Sequence, residues 1–150
     1  MARRQSRRMK TEVIRGITVR PLRSGETEAV RAVFDRLGPR SRQLRFGGAK
    51  NVFLPGELAE LARVDANHHV LVAIVGGEAV GIARLARDGD TAEVAFAVAD
   101  EWQGKGVGTV LVDRLAEDAR AAGITRFRAE VRADNAPSLA LVSRLRAAVA

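Results

Sequence analysis

The sequence predicts one mixed α/β domain, and three observations carry that expectation. Between Val94 and Leu111 the apolar period changes. Val94, Phe96 and Val98 alternate, then Val107, Val110, Leu111, Leu115, Ala119 and Ala122 recur at helical spacing. Upstream, the β-rich runs His69 to Val75 and Ala79 to Ala86 are joined by Gly76-Gly77, which reads as a hairpin. Downstream, an alternating run from Thr125 to Arg132 leads directly into a second helical pattern. At 150 residues, with 47% apolar and 29% charged side chains, the chain suits a single domain with a sizeable core.

Taken in order, residues 1–14 read as a basic flexible arm and residues 15–150 as the domain. The first ten residues hold Arg3, Arg4, Arg7, Arg8 and Lys10 and no acid. Without those five the body carries 20 basic against 18 acidic residues, so most of the net charge of +7 belongs to the arm. Such an arm attracts polyanions without specificity, and no specific nucleic-acid partner is expected. A nucleic-acid-binding module is a weak rival reading, because too few phenylalanines stand outside the core-like runs to stack bases.

Ile17 to Leu22 alternates as a strand, and Ser24-Gly25 turns it. Thr27 to Leu37 reads as a helix presenting Ala29, Val30, Val33, Phe34 and Leu37 on one face, with Gly38-Pro39 as its stop. Ser41 is placed to cap a short helix presenting Leu44 and Phe46 inward. Pro55 opens another short helix to about Val64. After the hairpin, Asp88-Gly89-Asp90 turns the chain into a strand from Thr91 to Val98. Gly123 ends the long helix that follows. In the run from Thr125, Phe127, Ala129 and Val131 lie on one side and Arg126, Arg128, Glu130 and Arg132 on the other. Asp134-Asn135-Ala136-Pro137 starts the final helix, with Leu141, Val142, Leu145, Ala148 and Val149 as its apolar stripe.

No apolar run approaches the ~20 residues of a membrane span, and the start lacks a signal peptide's apolar segment. The chain has no cysteine and only two histidines, His68 and His69. That removes disulfides, thiol nucleophiles and His-rich or cysteine metal sites from consideration. No metal and no membrane partner are expected, and the setting expected is cytoplasmic. The two histidines sit at a strand start and are expected at the surface.

The chemistry concentrates in Gln103-Gly104-Lys105-Gly106-Val107-Gly108, between strand and helix. Three glycines let backbone amides face outward, and a helix start leaves its first N–H groups unpaired. With the positive end of the helix dipole this is an anion site, most naturally for phosphate or pyrophosphate, and Lys105 adds a charge at the rim. The spacing is neither G-x-x-x-x-G-K-[ST] nor G-x-G-x-x-G, which excludes the P-loop and the dinucleotide fingerprint.

Gln103-x-x-Gly106-x-Gly108, after a strand and before a helix, resembles the coenzyme A signature [Q/R]-x-x-G-x-[G/A] of the GNAT N-acetyltransferase superfamily. The element order β-α-α-(α)-β-β-β-α-β-α is similar to that family's over roughly residues 15 to 150. Arg40-Ser41-Arg42 through Arg45-Phe46 resembles an element of Pat-type protein lysine acetyltransferases. The resemblance implies an enzyme with a GNAT fold that moves acetyl from acetyl-CoA to a primary amine, of a protein lysine or a small molecule. It implies that Gln103, Gly104, Lys105, Gly106, Val107, Gly108 and Thr109 hold the pyrophosphate. Asn135 and Ser138 would contact the cofactor from the last helix. Backbone groups of Phe96 and Val98 would pair with pantetheine, in a slot made where a bulged strand splays from the next.

For the base, Glu93 is the expectation. It interrupts an apolar strand on the face of Ala95 and Ala97, where small residues leave room for a ligand, and burial there would suit a general base. Pat-type enzymes carry a catalytic Glu at the corresponding place. Glu130 is second in order. Two departures stand against activity. Many family members place a tyrosine acid seven residues after the asparagine, which here is Val142, with Ser143 beside it and no tyrosine in the chain. The family's two closing strands are expected after Leu145 and do not appear, leaving an open sheet edge that a second copy of the chain would cover. A non-catalytic acyl-CoA-binding domain is therefore the alternative reading.

Overall fold

The computed structural model describes residues 11–39, 55–129 and 136–150. Strands β1 (Glu12–Ile14) and β2 (Ile17–Pro21) form a hairpin. Helix α1 (Thr27–Asp35) and helix α2 (Pro55–Leu61) follow. Strands β3 (His68–Val75), β4 (Glu78–Asp88) and β5 (Thr91–Val98) form an antiparallel run. Helix α3 (Val107–Ala121) crosses back to β6 (Arg126–Arg128), and α4 (Ala136–Val149) closes the described chain. The six strands lie in sequence order in one sheet, with only β5–β6 parallel. That is the mixed sheet the period changes predict.

The hairpin turns are governed by backbone handedness. Gly76 and Gly77 both hold positive φ, 58° and 81°, which a side chain resists and a two-residue turn requires. The β1–β2 turn does the same with Arg15 (φ 54°) and Gly16 (φ 77°). This corrects the extent of the arm: Glu12–Ile14 pairs with Ile17–Val19 and belongs to the sheet. The five basic residues at positions 3–10 lie outside the described residues, as do Arg40 to Phe46.

Each sheet face carries its own core. On one side Leu71, Ala83, Leu85, Val94, Phe96 and Phe127 meet Val110, Leu111 and Leu115 of α3 and Leu145 of α4. On the other Val70, Val72, Ile82 and Ala97 meet Val30, Val33 and Phe34 of α1 and Leu58 of α2. The spacing of Val30, Val33 and Phe34 puts all three on one helical stripe, and all are buried. Helix α3 comes down closely onto β4 at Gly81. A Cβ there would stand 2.9 Å from Val107 Cγ1 and 3.0 Å from Leu111 Cδ1.

Two expectations for the sheet change. The register irregularity falls between Ala73 and Ile74 on β3, whereas β5 pairs with β4 without a break from Thr91 to Val98. The bulge expected on the strand before the glycine turn is therefore on a different strand. Of the run expected as a strand from Thr125 to Arg132, Arg126–Arg128 is the strand observed, and Glu130 to Arg132 lie outside the described residues. Strand β6 pairs with β5 only from Thr91 to Glu93, and Ala129 is outside any strand. Among the described residues β6 has a neighbour on one side only.

Candidate active site

The short β5–β6 pairing makes the site. In an antiparallel strand alternate residues send both N–H and C=O to the same neighbour. Ala99 donates to Val80 of β4, so Phe96 and Val98, three residues and one residue before it, direct their backbone groups to the β6 side. Among the described residues β6 pairs with β5 no further than Glu93. Beyond Glu93 the edge of β5 opens onto a groove of 320 Å³ lined by Phe96, Val98, Trp102, Gln103, Gly104, Gly106, Gly108, Thr109, Pro137, Ser138 and Leu141, among others. The Val98 carbonyl accepts from Gln103 Nε2 at 3.0 Å, which ties the glycine turn to the strand end.

The glycine turn and the start of α3 lie at the groove's end. Gly104 and Gly106 hold φ of 74° and 90°, in the left-handed region. Gly106 is the N-cap of α3 and gives it no side-chain cap, so the first-turn N–H groups stay available. Lys105 lies with Nζ 5.0 Å from the centroid of the Trp102 ring, a cation held at the rim by an aromatic face. Arg15 is a second cation that the sequence did not signal. Its Nη1 comes within 4.0 Å of where a Cβ on Gly106 would stand. The β1–β2 hairpin carries it there from about ninety residues upstream, so no local pattern could reveal it.

The glycine positions divide in role. Gly106 needs its conformation. Gly108 instead needs its lack of a side chain, since a Cβ would meet both Leu141 Cδ atoms at 3.1 Å. It lets α4 approach α3, so valine there would disturb helix packing and would not leave the fold intact. Val107 is 1% exposed and packs inward against Gly81, so only its backbone faces the site. Thr109 and Ser138 line the groove. Asn135 and Glu130 lie outside the described residues.

Glu93 stands on the sheet face of Ala95 and Ala97, with Ala86 opposite on β4 and Arg128 beside it on β6. It is exposed, so the burial expected of it is not found. Helices α1 and α2 cover the middle of this face, against Val70, Val72, Ile82 and Ala97. Arg84, diagonally across from Glu93, is the half-buried group here. It donates to the Glu60 carbonyl at 3.2 Å, while its Nε is buried without a partner. Burial lowers the Arg84 pKa, partly opposed by the charges of Glu60 and Glu93.

The position expected for an acid, Val142, is buried at 5% against α3, and Ser143 is exposed. His69 also departs from expectation. Its Nε2 lies 2.7 Å from Asp118 Oδ2, and Asp118 accepts from Arg114 Nε at 3.1 Å with both side chains almost fully buried. His69 and Asp118 border a second cavity, of 740 Å³, at the opposite end of the sheet.

The sequence model of the acetyltransferase (GNAT) family matches residues 40–146. The chain belongs to that family, whose members use acetyl-CoA as co-substrate. It is 40% identical over 94 residues to acetyltransferase Pat of Mycolicibacterium smegmatis, which covers 59% of this chain and 28% of that protein. The chain thus spans little more than a quarter of that relative's length. It is 34% identical over 134 residues to acetyltransferase PA5475 of Pseudomonas aeruginosa, covering 85% of this chain and 70% of the relative. Among solved structures it resembles the GNAT domain of S. lividans PAT, with a TM-score of 0.80 at 28% identity over 91% of this chain and 85% of that one. Among the described residues no helix is long and apolar enough to cross a membrane, and no cluster of ligating side chains could hold a metal ion.

Proposed function

We propose that this domain transfers acetyl from acetyl-CoA to a primary amine, with a protein lysine as acceptor, in a cytoplasmic setting. One observation supports the reading most: the edge of β5 that no described strand pairs with and the start of α3, which has no side-chain cap, open into the same groove. Pantetheine is an extended chain with two amides, and the edge at Phe96 and Val98 offers it strand-like hydrogen bonds. Its pyrophosphate fits the amides of Gly106, Val107 and Gly108 at the positive end of the helix dipole, with Lys105 and Arg15 as flanking cations. Thr109 and Ser138 offer hydroxyls along the way. When bound, the co-substrate supplies a thioester carbonyl for the amine to attack.

The protein's part is then positioning and proton removal. Remote binding of the phosphates fixes the reacting carbonyl beside β5. A backbone N–H on the β6 side of β5 polarises it. Glu93 lies three residues upstream of Phe96, about 10 Å along the strand at ~3.3 Å per residue. In this reading it takes the ammonium proton directly or through water, freeing the lone pair for attack. The thiolate leaves toward the start of α3, whose dipole tolerates negative charge. A second copy of the chain pairing on the β6 edge belongs to the same reading, checked by sedimentation.

Glu93→Gln keeps the shape and cannot accept the proton. Turnover should fall on the order of 10²–10⁴, while calorimetry finds acetyl-CoA affinity unchanged. Full turnover in that variant would move the base elsewhere, with Glu130 next in line. The buried Val142 where many family members place a tyrosine acid favours a second reading, an acyl-CoA-binding domain without catalysis. That reading prevails if the chain binds acetyl-CoA tightly and acetylates no protein or amine offered to it.

A further inference from the structure

The groove of the candidate site does not stay on one face of the sheet. Phe96, Val98 and Leu141 of its lining pack with the core under α3 and α4. Leu37 and Ala97 line the same groove and belong to the opposite core, under α1 and α2. Ala97 faces that second side, with Ala95 and Glu93, because side chains alternate along a strand. The hollow therefore passes the edge of β5, from the glycine turn to Leu37. Leu37 is held where it stands. It follows α1, and its N–H donates to the Phe34 carbonyl at 3.1 Å. The Arg36 carbonyl before it accepts from the Asp100 N–H at 3.1 Å, in the single helical turn Asp100–Trp102 that leads into the glycine turn. The Arg36 guanidinium bridges Glu101 of that turn at 3.0 Å and Glu78 of β4 at 2.7 Å. After it, Gly38 has no side chain, and a Cβ there would overlap the Asp100 carboxylate. Leu37 is 6% exposed and Ala97 8%, so neither has room to swing away from the groove.

A molecule anchored by its pyrophosphate at the start of α3 presents its far end to these two side chains. We propose that Leu37, with Ala97, sets the length of acyl group the chain accepts, closing that end of the groove to all but short ones. This rests on the reading of the groove as the acetyl-CoA site. The transfer step itself is unchanged: the amine nitrogen bonds the carbonyl carbon, the C–S bond breaks, and coenzyme A leaves. The carbonyl stays at the edge of β5, and the carbons beyond it are the part that meets Leu37. A methyl group fits, whereas each added methylene presses on a wall that cannot retreat, and overpacking of that kind is penalised. One methylene in an apolar pocket typically discriminates between substrates by roughly 10–200-fold.

Acetyl-, propionyl- and butyryl-CoA, offered to the full chain, test this by calorimetry and by transfer to a lysine peptide. On wild type, kcat/KM for butyryl-CoA should lie at least about tenfold below that for acetyl-CoA, with propionyl-CoA between them and affinities in the same order. Leu37→Ala removes the isopropyl group and leaves a cavity that a longer chain fills, so the two values should come within about threefold of each other. The ratio compares two ligands on one protein, so a loss of stability in the variant does not alter it. Leu37→Val, a smaller truncation, should shift the ratio the same way by less. A wild type indifferent to chain length, or a ratio unchanged in Leu37→Ala, overturns the proposal and leaves the acetyltransferase reading standing. Binding ranked by length and relaxed in Leu37→Ala, without transfer to the peptide, supports the proposal and favours the acyl-CoA-binding reading over the catalytic one. Binding of none of the three thioesters overturns both.

Discussion

The groove of 320 Å³ at the Val98 end of the sheet and the cavity of 740 Å³ at its His69 end differ in how their polar groups are satisfied. In the larger cavity they answer one another. His69 and Arg114 both bond Asp118. Arg20 makes two bonds to Glu26, at 2.9 and 2.6 Å, and Arg87 donates to the Gly89 carbonyl. Asp65 accepts from the Asn67 N–H and from Arg63 Nε, both at 2.8 Å, and lies 2.8 Å from His68 Nδ1. In the smaller groove the available groups are backbone ones, along the edge of β5 and at the start of α3; no described strand pairs with that edge, and Gln103 Nε2 donates to the Val98 carbonyl. Size alone would favour the larger hollow. Donors without a partner among the described residues make the smaller one the candidate site, because an anion or an extended amide chain would supply the missing bonds there.

The largest effect should come from the satisfied end. Asp118→Ala leaves Arg114 charged and buried with its main partner gone, which typically costs ~3–5 kcal/mol. A sharp fall in melting temperature with unchanged acetyl-CoA affinity in the surviving folded protein would keep the two ends separate. A parallel loss of affinity would join them.

Next in size is Gly106→Val, which forces a β-branched residue to φ near 90° at the cap of α3. The strain is worth ~1–3 kcal/mol, and displaced amides should weaken acetyl-CoA binding by about 10²-fold, since bonds to charged groups contribute ~1.5–3 kcal/mol each. Calorimetry with acetyl-CoA and with a pantetheine analogue lacking phosphates sharpens this. Only the first should lose affinity, and Arg15→Ala should show the same selectivity to a lesser degree.

Gly108→Ala should cost ~1–3 kcal/mol of stability by overpacking against Leu141, read as a shift in denaturant midpoint. Adding Leu141→Ala should remove most of the clash, a coupling that a purely ligand-contacting glycine would not show. Lys105→Ala should be smaller again, a loss of ~0.2–1 kcal/mol in acetyl-CoA binding, as suits an exposed cation facing a phosphate in water.

The smallest is a pH effect in the larger cavity's wall. His68, then the Asn67 N–H, hold the Asp65 carboxyl below its ordinary value of 3.8. A carboxyl depressed in the folded state stabilises it above the unfolded pKa and loses that contribution as pH falls through the folded one. Wild type should therefore weaken on acidification below about pH 4, and Asp65→Asn should flatten that limb slightly. An identical acid limb in both proteins would remove Asp65 from the account.

Much of this was legible without coordinates. The change from period 2 to period 3.6 around Gln103–Gly108 placed strand, turn and helix to within a residue, because alternation and helical stripes are local consequences of burying one face. Gly76-Gly77 announced its hairpin for an equally local reason, the need for positive φ. Arg15-Gly16 carried a similar signal, obscured because arginine is an unusual residue in that region. The choice of Glu93 also followed from pattern, as a charge interrupting an apolar strand.

What the tertiary structure decided concerns residues far apart in the chain. Arg15 reaches Gly106 only because the β1–β2 hairpin ends beside α3. Gly108 faces Leu141, His69 meets Asp118, and Val142 turns into the core through helix packing, which no window of sequence contains. The length of β6 is the same kind of fact. Its alternation in sequence continues past Ala129, but among the described residues its pairing with β5 reaches only Glu93, which stands exposed beside Arg128. Periodicity records which face of an element is buried. How far two elements stay together, and what stands opposite each residue, is set by the competition of all elements for one core.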